Sequence, residues 1–158
     1  MSTRGYVGFY KDEKDIGGYN HSDSYPDGLG NQVLDFLLGK NLTKLKRICA
    51  SLNKKNNDDG DVWNWNEHCF NKNFRNCPRF LFNSLFCEYA YIINLDDKVL
   101  EFYVGFNTNP NARGRYAGTT VDDEKKYYGV ILAQTIPLID CYKGKWRISK
   151  NGGGFWKV

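Results

Sequence analysis

The 158-residue chain carries 22 basic and 18 acidic side chains, a formal net charge of +4, with 41% apolar and 16% aromatic residues. A chain this long buries most of its apolar surface without help from metals or disulfides, so one domain spanning 1–158 is expected, with no disorder beyond loops. The charge is too small to name nucleic acid as a partner, and no apolar run approaches the ~20 residues that span a bilayer.

From the N-terminus, RGYVGFY (4–10) alternates Tyr6, Gly8 and Tyr10 against Val7 and Phe9. With IGGYNH on the far side of the polar KDEKD, this predicts an opening hairpin. Pro26-Asp27-Gly28 is turn chemistry. Beyond it Leu29, Val33, Phe36 and Leu37 recur on one helical face, with Asp27 placed to cap the helix and Gly39 to end it. Leu42, Leu45, Ile48, Cys49 and Leu52 predict a second amphipathic helix, capped by Asn41 or Thr43, with Lys44, Lys46 and Arg47 outward.

Residues 53–61, rich in Asn and Asp, read as a loop, and 62–80 as irregular chain with one short helix. The clearest β signal is CEYAYIINL (87–95) followed by KVLEFYVGF (98–106) around Asp96-Asp97, a central hairpin. A long loop, 107–126, leads to YYGVILAQTIPL (127–138), whose continuous apolar run predicts a buried strand. WRIS and FWKV add short strands near the C-terminus. Hairpins in place of strand–helix–strand alternation give an α+β domain: a mostly antiparallel β-sheet with two or more helices packed on it.

Two segments concentrate chemistry. GGYNHSDSYPDGLG (17–30) sets Asn20, His21, Asp23, Ser24 and Tyr25 between glycines, and Gly28 and Gly30 would bare the backbone at a helix start, where N–H groups and the dipole attract anions. His21 and Asp23 share a face in an extended chain, which suits proton transfer or recognition of a polar ligand. Hydrogen-bonded turn polars are the plainer alternative.

In the long loop, Arg113 and Arg115 can hold a phosphate or carboxylate while Tyr116 stacks on a flat ring, and Arg4 offers a third anion contact. The expectation is that these distant segments meet at one concave wall. The basic and aromatic stretch 141–158 reads either as an edge protected by lysines or as a base-stacking surface.

Metal and cofactor are not expected. The five cysteines, Cys49, Cys69, Cys77, Cys87 and Cys141, lack paired zinc spacing, and the two histidines, His21 and His68, are far apart. Reduced thiols and the lack of a charged-then-apolar leader point to a cytoplasmic protein. No nucleophile elbow or phosphate loop is found, although Ser22, Ser24, Cys69 and Cys87 exist and loss of Met1 would leave an amine at Ser2.

Ser2-Thr3-Arg4-Gly5, the stretch Tyr19-Asn20-His21 to Asp23-Ser24-Tyr25-Pro26 with Gly28-Leu29-Gly30, and residues 82–91 with Gly114-Arg115-Tyr116 resemble an uncharacterised family of small bacteriophage and prophage proteins. Members of that family more often begin Gly-Thr-Arg-Gly after the initiator methionine, where this chain has Ser2, which counts against a side-chain nucleophile there. The resemblance implies a role against host immunity: sequestering an anionic, nucleotide-type signal in the host cytoplasm, a role compatible with a homodimer or higher oligomer. A hydrolase using His21 and Asp23, and a protein-protein inhibitor or nucleic-acid binder using the basic C-terminus, are the alternatives.

Overall fold

The computed structural model describes residues 3–52, 55–56, 75–148 and 155–157, and shows an α+β domain built on one five-stranded sheet. The opening hairpin is β1 (Gly5–Lys11) and β2 (Lys14–Asn20), longer than the sequence suggested because KDEKD itself contributes to both strands. Its turn is tight, with Asp12 and Glu13 both at positive φ (53° and 62°). Such a turn matches strand twist but strains non-glycine residues. Asp96 offsets this by accepting the Asp12 and Glu13 amides at 2.9 and 3.1 Å.

A π-type turn, Pro26–Gly30, runs directly into α1 (Asn31–Leu37). Asp27 does not cap α1: neither the turn nor the helix has a side-chain cap, and Asp27 instead offers its carbonyl to Asn31 at 2.8 Å. Gly39 follows the helix at φ 77°, a left-handed position that glycine adopts without strain. Helix α2 (Leu42–Ser51) is capped by Asn41, whose side chain accepts the Lys44 amide at 2.8 Å.

The two-residue strands β3 (Lys55–Asn56) and β4 (Arg75–Asn76) pair in parallel. The expected loop over 53–61 and the irregular chain over 62–80 fall mostly outside the described residues. What is described there includes a 3-10 turn at Pro78–Phe82. The central hairpin is β5 (Tyr89–Asn94) with β6 (Val99–Val104), and β7 (Ile131–Pro137) follows the long loop. Helix α3 (Leu138–Tyr142) and the small hairpin of β8 (Trp146–Ile148) and β9 (Phe155–Lys157) complete the chain.

Strand order is β2-β1-β5-β6-β7, antiparallel except for the parallel β1–β5 pair. Alternation divides the residues between two faces. One face carries Val7, Phe9, Tyr91, Ile93, Leu100 and Phe102, and is covered by α1, α2 and α3 through Val33, Leu37, Leu45 and Leu138. Burying each such leucine contributes about 1.5–3 kcal/mol. On the other face Tyr6, Ala90, Ile92 and Tyr103 pack under Leu81 from the 3-10 turn, Cys87 from the segment before β5, and Tyr116 and Val130 from the loop between β6 and β7.

The run over 127–138 is an edge strand, where a buried one was expected, and only Ile136 of β7 is fully buried. Its apolar residues divide between the sheet faces and the loop that leans on it. Both sheet edges are closed locally. On β2 the Gly17 amide donates to Asn76 at 3.0 Å and its carbonyl accepts from Cys77 at 3.0 Å. On β7 the Leu132 amide donates to the Arg113 carbonyl at 2.9 Å, and Pro137 has no amide hydrogen to offer.

Gly8 and Gly17 face each other across β1 and β2, and the Tyr6 ring lies over them. A Cβ on Gly8 would stand 2.7 Å from both the Gly17 Cα and the Ile16 carbonyl, main-chain atoms that cannot swing aside. Gly8→Ala is therefore expected to lower stability by about 1–3 kcal/mol, read as a lower urea midpoint with an unchanged slope.

Candidate functional site

The hairpin register decides what meets what. Gly5 pairs with Asn20 at one end and Tyr10 with Asp15 at the other, five residues or about 17 Å along the strand. Arg4, Asn20, His21 and Ser24 gather at the first end. Arg115 and Tyr116 lie at the second, over Tyr10 and against Asp15. The two segments expected to share one wall are thus held apart by the length of β2.

At the first end, one step beyond the last strand pair, Arg4 stands opposite His21 on the side of the sheet that also carries Tyr6 and Tyr19. The Tyr19 hydroxyl is 2.8 Å from His21 Nδ1. Burial lifts the Tyr19 phenol above its ordinary value, while the Arg4 charge and hydrogen bond pull against that rise. Phe80, on the 3-10 turn, meets the Tyr19 ring edge-on at 4.9 Å, and the Arg4 guanidinium lies over Phe86 at 5.5 Å. Glu88 commits one carboxylate oxygen to the Arg4 main-chain amide at 3.1 Å. A cation, an imidazole, a phenol and two phenyl rings therefore converge, with Arg4 and His21 both half-exposed.

Beneath this corner Asn20 and Ser24 are buried and internally bonded. The Asn20 amide donates to the Ser22 carbonyl at 2.6 Å and to Ser24 Oγ at 2.8 Å, and the Tyr91 hydroxyl donates to the Ser24 carbonyl at 2.8 Å. Gly5 is required here, because a Cβ would lie 2.7 Å from that of Ser24. These polar residues hold the 21–25 segment in place.

The glycines of the turn do not bare their amides. Gly28 and Gly30 donate to the Tyr25 carbonyl at 2.9 and 3.3 Å, and Leu29 donates to the Asp23 carbonyl at 3.0 Å. The tight turn satisfies internally the groups expected to meet an anion. Asp23 is exposed at φ 56°, and Tyr25 is 49% exposed with its ring 5.9 Å from Tyr89.

The second end is a built cluster. Arg115 makes a two-pronged pair with Glu101, both bonds 2.7 Å, with the Glu101 side chain 6% exposed and that of Arg115 27%. Its guanidinium also lies over the rings of Tyr10 at 3.7 Å and Tyr116 at 4.7 Å, and bonds the Tyr116 hydroxyl at 2.9 Å. Tyr116 in turn donates to Asp15. Asn94 supports Glu101 at 3.3 Å.

The charge of Arg115 is thus matched within the protein, a correction to its expected role in holding a ligand. Arg113 is exposed and anchors the loop through its carbonyl on Leu132. Burial first, then the charge of Asp15, push the Tyr116 phenol well above its ordinary value. Burial likewise raises the Asp15 carboxyl, against the Tyr116 hydrogen bond and the Arg115 charge.

Sequence reasoning missed Asp15 and Glu101 here, and Tyr19, Phe80 and Phe86 at the first end. Glu101 had a signal: it is the one acid inside the otherwise β-rich KVLEFYVGF run. Neither Cys87 nor Cys141 is an activated nucleophile. Burial raises Cys87 well above its ordinary value and pushes Cys141 up to about 12. Ser24 is buried under Asn20, and Cys69 and His68 lie outside the described residues.

Elsewhere a cleft of about 220 Å3 lies between α1, α3 and β8, lined by Leu34, Leu38, Cys141 and Trp146 with Asp35 and Arg147. There the Arg147 guanidinium donates to the carbonyls of Gly144 and Trp146. Among the described residues no group of three or more His, Cys, Asp or Glu side chains could hold a metal, and no helix is long and apolar enough to cross a membrane.

Removing one partner of the Arg115–Glu101 pair strands a buried charge. Arg115→Met should cost about 3 kcal/mol in urea unfolding, and adding Glu101→Gln should recover part of that loss, since a buried pair stabilises little against a neutral substitute. No family model, curated protein or solved structure matches the chain.

Proposed function

We propose that the protein captures an anionic, ring-bearing small molecule of nucleotide type at the Arg4–Tyr19–His21 corner. The observation that carries this reading is the convergence of Arg4 and His21, which flank the paired ends of one hairpin, on the Tyr19 phenol, whose hydroxyl is 2.8 Å from the imidazole and hydrogen-bonded with Arg4. An arginine can grip a phosphate through two parallel hydrogen bonds, and an imidazole adds a further donor or acceptor. Phe80 and Phe86 supply apolar walls on which a flat ring can rest.

Retention is favoured over turnover by the partner on His21. A general base oriented by a carboxylate would carry Asp23 on Nδ1, whereas that nitrogen pairs with the Tyr19 hydroxyl. Blunting a host immune signal by sequestration is the role that the resemblance to phage proteins adds.

A panel of mono-, di- and cyclic nucleotides examined by calorimetry and native mass spectrometry tests the proposal. A retained nucleotide, recovered chemically intact after heat denaturation, is the expected result. Arg4→Gln should weaken it about tenfold, the loss of one charge-assisted hydrogen bond of about 1.5 kcal/mol. Lys143→Gln with Lys145→Gln should bind as the parent does. Equal binding by Arg4→Gln, loss of binding in the lysine variant, or recovery of a cleaved nucleotide would overturn the reading.

A further inference from the structure

The cluster at the other end of the hairpin contains more acid than base. Glu101 takes both prongs of Arg115, which leaves Asp15 as a second carboxylate against the same guanidinium. The groups facing Asp15 come from each element packed around it: Tyr116 and Arg115 from the long loop, Tyr6 and Tyr10 from β1, Glu101 and Tyr103 from β6. Glu13 and Asp96 add negative charge near Tyr10, while Lys11 pairs with Asp12 at 3.7 Å and Lys14 is exposed. Asn94 supports Glu101 and carries no charge.

Among the described residues Arg115 is therefore the cation at this site, and it is already matched. The hydroxyls of Tyr6 and Tyr103 are buried and bring no charge that would favour a carboxylate. Arg115 and Tyr116 belong to the loop, whereas Asp15 and Glu101 belong to the sheet. Closing one onto the other moves Asp15 out of water.

We infer that closure of loop 107–130 onto the sheet takes up a proton from solvent at Asp15, so that the loop is held more tightly in mild acid than in mild alkali. The proton rests on Asp15 Oδ2, and Tyr116 continues to donate to Oδ1. Neutral Asp15 leaves a balanced Arg115–Glu101 pair. The sign agrees with the carboxyl raised by burial: stabilisation is complete below the ordinary carboxylate value and is lost as pH rises through the closed-state value.

Hydrogen-exchange protection of the Val130 and Leu132 amides, which tie the loop to its surroundings, reads this linkage directly. Between about pH 4.5 and about pH 8 the protection in the parent protein should fall several-fold relative to Asp15→Asn, which holds no titrating proton. Amides of α2 should show no such difference. Tyr116→Phe removes a bond that favours the charged carboxylate, and should move the transition to higher pH. In the unsubstituted chain, the carboxyl-carbon NMR titration of Asp15 should lie above the ordinary aspartate value. A titration at or below that value, or a parent-to-Asp15→Asn ratio that stays flat with pH, would overturn the inference.

Discussion

Strand β1 lies between β2 and β5, antiparallel to the first and parallel to the second, and the placement of every other element follows from that double pairing. Parallel neighbours cannot be joined by a tight turn. The chain leaves β2 at Asn20, already beside the starting end of β1, and has to cross β1 before it can enter β5 at Tyr89. On that journey it lays α1 and α2 on one face and the 3-10 turn on the other, so β1 is buried on both faces from Gly5 to Phe9. The ends of the β1–β2 hairpin are then fixed points of the molecule, and each gathers a different chemistry.

The two ends differ in how their charges are handled. At one, Arg4 and His21 remain half-exposed and rest on aromatic rings, an arrangement able to accept a counter-charge from outside. At the other, Arg115 is held by a carboxylate and stacked on phenols, so its cation serves the protein itself. Identical residue types thus carry opposite implications, decided by whether a buried acid lies within reach. For an arginine in an irregular segment, its partner in the sheet has to be known before an anion is assigned to it.

Period-two patterning and capping made much of the architecture legible in advance. Tyr6, Gly8 and Tyr10 against Val7 and Phe9 do separate onto two faces, Asn41 does cap α2, and the 87–106 hairpin does form the middle of the sheet. Misreadings came where local signals compete with register. Asp27 looked like a cap because it precedes an apolar helical face, but a π-type turn already satisfies the amides it would have served. Within the candidate site, Arg4 and His21 were legible as chemistry. Their adjacency, and the distance of both from Arg115, depend on which residues pair across β1 and β2, a relation that strand periodicity in a single sequence does not specify.

The closed margins of the sheet bear on assembly. An exposed strand ordinarily invites a second chain to continue the ladder, and this is how many proteins exchange segments or grow into fibres. Here Asn76 and Cys77 occupy the outer groups of Gly17, the carbonyl of Arg113 occupies that of Leu132, and Pro137 blunts the far end of β7. Any self-association at those positions must then proceed by side-chain surface meeting side-chain surface, and can be dissected by point substitution without altering the backbone scaffold.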